Sequence, residues 1–83
     1  MTLERARTIA ERLLDTFGLD GWSVRFVNFP PLPAPRRRLG LCCYADRTVY
    51  LSIEHVEQDP DDYIIETLVE EVGHALSPGD TNH

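Results

Sequence analysis

The chain opens with apolar residues at Leu3, Ala6, Ile9, Ala10, Leu13, Leu14 and Phe17, interleaved with Glu4, Arg5, Arg7, Glu11 and Arg12. Steps of three and four put the first set on one stripe and the second outside it, the pattern of an amphipathic helix over residues 2–17. Gly18 follows as its stop. From Trp22 the period drops to two. Trp22, Val24 and Phe26 face one way and Ser23, Arg25 and Val27 the other, so residues 22–29 read as a strand. Residues 39–45 and 47–53 read as two more, with Asp46 as the turn residue between them and Val49, Leu51 and Ile53 on the buried side of the last. Strands joined this tightly leave no room for a crossover, so the sheet is expected to be mainly antiparallel.

Helical spacing returns after a polar connection, Glu54-His55-Val56-Glu57-Gln58, in which His55 reads as an ordinary surface or capping histidine. Asp59 suits an N-cap and Pro60 a first helical position, while Asp61 and Asp62 place negative charge at the positive end of the helix dipole. Asp62 lies three residues beyond Asp59, as in a capping box. Ile65, Leu68, Val69, Val72 and Leu76 form the expected apolar face, and Pro78-Gly79 ends the helix. The order is helix, three strands, helix. It predicts a single α+β domain over residues 1–83: an N-terminal helix, a three-stranded mainly antiparallel sheet, and a helix bearing the chemistry.

Composition narrows the classes without choosing one. A chain of 83 residues with 42 % apolar and 27 % charged residues matches a small soluble globular domain. No apolar run reaches the roughly 20 residues that span a bilayer, and the charged start lacks the apolar segment of a secretion signal, so a cytoplasmic protein is expected. Cys42 and Cys43 are adjacent and are the only cysteines, which reads as reduced thiols on a strand. The net charge of −6 splits into +3 over residues 1–41, with seven arginines against four acids, and −9 over residues 42–83, with Arg47 against ten. An acidic half repels a phosphate backbone and attracts cations, so no direct nucleic-acid binding is expected. Residues 30–38 hold four prolines and three arginines, an extended connection whose Pro30-x-x-Pro33 also suits an aromatic groove.

The candidate chemistry lies on the outer side of the last helix. Glu66, Glu70 and His74 recur in successive turns, with Glu71 beside them. Glu70 and His74, four apart, stand one above the other. His83 follows beyond the Pro-Gly break, where the chain can fold back. Three potential ligands and a spare carboxylate are the inventory of a catalytic zinc site. A solvated acidic face with a histidine at the helix C-terminus accounts for the same residues without a metal.

The segment from Glu66 to His83 resembles the active-site region of SprT-like zinc metallopeptidases of the zincin class, which usually read apolar-His-Glu-x-x-His-Ala-Leu, a short Gly-containing loop and a third His. The preceding layout is similar as well, so the resemblance spans nearly the whole chain. It implies zinc held by Glu70, His74 and His83, Glu71 as general base, and a protein or peptide substrate lying along residues 47–53. Glu70 stands where the family has its first histidine. A carboxylate can ligate zinc, but its charge offsets part of the metal's and acidifies bound water less. The alternative is a zincin-like protein-binding module that has lost catalysis, with residues 30–38 as its contact loop.

Overall fold

A computed structural model describes residues 1–77. The chain is α+β: helix α1 (Leu3–Thr16), strands β1 (Ser23–Val27), β2 (Gly40–Cys43) and β3 (Thr48–Ser52), then helices α2 (Ile53–Gln58) and α3 (Asp61–Leu76). Thr2 caps α1, its hydroxyl accepting from the Arg5 amide at 3.1 Å, and Gly18 follows the helix at φ +69°, a conformation open to glycine at little cost.

The sheet is mixed, with strand order β1-β3-β2. The hairpin is antiparallel as expected, Leu41 opposite Tyr50, but β1 runs parallel to β3, Ser23 opposite Thr48 and Val27 opposite Ser52. The expectation of a mainly antiparallel sheet followed adjacency alone. Residues 28–47 form a connection long enough for β1 and β3 to pair in parallel, with β2 laid on the far side of β3. β3 is therefore the central strand, so residues 47–53 are not an open edge; that place falls to β1 and β2.

The register puts Val24, Phe26, Val49, Leu51, Gly40 and Cys42 on one face of the sheet. Val24, Val49 and Leu51 on that face join Ala6 and Ala10 of α1, Val56 of α2, and Ile64 and Leu68 of α3 in one buried core. The alanines let α1 approach closely.

Three local expectations are corrected. The polar connection after β3 is helical: Ser52 caps α2, accepting from the His55 amide at 3.2 Å, and Val56 and His55 are both fully buried. Asp59 is not the N-cap of α3. Pro60 holds that position with no side-chain hydrogen bond, and the Asp59 carboxylate turns back to accept from His55 Nδ1 at 2.6 Å and Arg37 Nη2 at 3.1 Å. The buried face of α3 is also rotated from the expected one. It carries Ile64, Thr67, Leu68, Glu71, Val72 and Ala75, while Ile65, Val69 and Leu76 are exposed. Two apolar rows run side by side on this helix, and the sheet takes the one that includes a carboxylate.

No helix among the described residues is long and apolar enough to cross a membrane.

Candidate active site

The rotation of α3 decides what the site looks like. Glu71 points inward, 9 % exposed, beneath the first residue of β2. There a side chain would obstruct it: a Cβ at position 40 would lie 3.1 Å from Glu71 Cγ and Oε2, and Gly40 leaves that space open. Three residues on, His74 is partly exposed and its Nδ1 lies 3.4 Å from Glu71 Oε1. That distance is a charge contact longer than a good hydrogen bond. Glu71 Oε1 is buried and has no hydrogen bond among the described residues. A buried carboxylate oxygen without a donor is costly, and such atoms need a reason to be there.

The surroundings are open on two sides. One cleft of about 230 Å³ lies between β2 and the end of α3, bounded by Cys42, Tyr44, Glu71 and His74. A second, of about 300 Å³, runs from Glu70, Glu71 and His74 past Thr67 to Leu32 and Arg38. Arg38 and Gly40 border both. Burial raises the Glu71 carboxyl above its ordinary range against the pull of His74, and neighbouring Glu70 adds to the rise. Burial and the Glu71 charge push the Cys42 thiol up to about 11. Cys42 is thus a protonated thiol at neutral pH, neither nucleophile nor ready metal ligand. Tyr44 holds the end of α3 in place: its hydroxyl donates to the His74 carbonyl at 2.6 Å, and its ring meets Trp22 edge to face at 6.0 Å.

The structure therefore brings Glu70, Glu71 and His74 to one cleft. Glu70 stands on its exposed rim, Glu71 at its buried base and His74 between the two environments. His83 lies outside the described residues. Among the described residues no three His, Cys, Asp or Glu side chains converge closely enough to hold a metal ion.

Sequence reasoning missed one polar assembly beside this site. His55, 0 % exposed, contacts Asp59 Oδ2 through Nδ1 at 2.6 Å and Thr67 Oγ1 through Nε2 at 2.8 Å, and packs edge to face on Tyr63. Thr67 Oγ1 also donates to the Tyr63 carbonyl at 3.1 Å, and Thr67 borders the larger cleft. The assembly ties α2, α3 and the arginine loop together, since Arg37 bridges Glu54 and Asp59. Only the pairing of His55 with Asp59 at i and i+4 hinted at it.

No family model, curated protein or solved structure matches the chain.

Proposed function

We propose that this protein is a small cytoplasmic zinc-dependent peptidase of the SprT-like kind, with Glu71 as general base. The observation that supports it most is the Glu71 carboxylate itself: buried, with an oxygen lacking a donor among the described residues, and facing an open cleft beside an imidazole. The residues present fit zinc by their chemistry, since carboxylate oxygen and imidazole nitrogen are both donors it accepts. Glu70 and His74 are the proposed ligands on α3, and His83 the third.

Zinc, when bound, supplies the Lewis acid that acidifies water and polarises a carbonyl. The chain's own residues do the rest. Glu71, its basicity raised by burial, takes a proton from water at Oε1 and returns it to the departing amine. Gly40 keeps room for that carboxylate. The outer edge of β2, unpaired among the described residues, lies along the same cleft and offers backbone groups to an extended peptide. This moves the substrate-pairing role from β3 to β2.

A second reading, a zincin-like protein-binding module without catalysis, draws on the position of Glu70 at the exposed rim, away from the buried carboxylate. Metal analysis separates the two. Protein purified without added zinc is expected to carry about one zinc per chain, lost in His74→Ala and retained more firmly in Glu70→His. Absence of metal at millimolar zinc, on the order of the weakest useful site, rejects the peptidase.

A further inference from the structure

A cavity of about 360 Å³ lies away from Glu71, under the loop that leads from β1 to β2. Phe29, Leu32 and Leu39 give it an apolar interior, and Arg36, Arg37 and Arg38 stand around it against the single carboxylate of Glu54. Arg37 is already committed: it bridges Glu54 at 3.2 Å and Asp59 at 3.1 Å. Arg36 and Arg38 make no ion pair among the described residues, and the Arg38 guanidinium lies over the Phe29 ring at 6.0 Å. An acidic protein thus places at the mouth of an apolar cavity two cations outside any ion pair among the described residues, of which Arg38 also lies within the field of Glu71. That is a local reversal of its overall charge.

The cavity also adjoins the cleft beside Glu71 and His74: Leu32, Arg37, Arg38 and Leu39 line both, so the two are neighbours across those side chains.

We infer that this cavity is a side-chain subsite that selects peptides carrying a large apolar residue next to an acidic one. The apolar side chain fills the space between Leu32 and Leu39, and the neighbouring carboxylate meets Arg38, with Arg36 adding to the field. The choice of a peptide as ligand rests on the peptidase reading.

Binding to the full chain carrying Glu71→Gln tests it, by fluorescence anisotropy with labelled extended peptides that differ only in a Leu-Asp or a Leu-Lys pair. The Leu-Asp peptide is expected to bind about fivefold tighter, the span of one partly exposed charge pair, and the gap is expected to shrink as salt rises. Arg38→Gln levels the two peptides and Arg38→Glu reverses their order. Leu32→Ala weakens both. Equal affinities, no binding of either peptide, or a ranking unmoved by Arg38→Glu each overturn the subsite. The peptidase reading fails separately: zinc-loaded wild type that binds with the acidic preference but cleaves nothing keeps the subsite and loses the catalysis. Cleavage with no preference for the acidic pair does the reverse.

Discussion

In zinc-loaded protein, Glu71→Gln is expected to lower peptide hydrolysis by about a hundredfold or more, the usual contribution of a general base. Zinc content should stay the same, because Glu71 is not among the proposed ligands. The amide fills the same space under Gly40 but cannot take a proton. The metal-free variant should also melt at higher temperature than metal-free wild type near neutral pH. A buried carboxylate with no hydrogen bond at Oε1 among the described residues destabilises the fold, and glutamine removes its charge. Loss of activity together with a gain in stability is the signature of a group kept for function. A variant as active as wild type would sink the assignment of the base, and one both inactive and less stable would mark Glu71 as structural.

The second large effect concerns folding. His55→Ala removes a fully buried ring, opens a cavity and takes one hydrogen bond each from Asp59 and Thr67. The expected cost is about 2–4 kcal/mol, a large share of the stability of so small a domain. At roughly 4–8 °C per kcal/mol, the melting temperature should fall by about 8–32 °C. A drop of only a degree or two would show that the assembly around His55 is not a structural anchor. The same assembly sets an acid response. The His55 hydrogen bond, then Arg37, hold the Asp59 carboxyl below its ordinary value of 3.8. A carboxyl more acidic in the folded state stabilises the fold above its unfolded pKa, and that contribution is lost as pH falls through the folded value. Asp59→Asn should therefore flatten the loss of stability below about pH 4 relative to wild type. Thermal melts of the two across that range check it; parallel curves would refute it.

How far the sequence could be read depended on what kind of information each feature needs. The α1 stripe and the hairpin around Asp46 were legible because period and turn chemistry are local. The parallel pairing of β1 with β3 was not, since alternation within a strand says which face is buried and nothing about its neighbour. α3 was legible as a helix but not in its rotation. Ile65, Val69 and Leu76 look as apolar as Ile64, Leu68 and Val72, and only the packing of the sheet chooses between them. That choice turned Glu71 inward, where the sequence had placed it on an acidic outer face. The grouping of Glu70, Glu71 and His74 was legible because helical spacing alone brings them to one side. His55 was hidden by its polar neighbours, which read as surface until Val56 and the ring itself are seen in the core.

Because β1 and β3 zip together directly, everything between them is an excursion from the scaffold. β2 pairs with one strand only, and the rest of the excursion is held by side chains, Arg37 on Glu54 and Asp59 and Tyr44 on the His74 carbonyl. Breaking those few contacts frees this flap while β1 and β3 stay paired. Deuterium should enter its amides first, and the thiol of Cys42 should become reactive whenever the flap lifts.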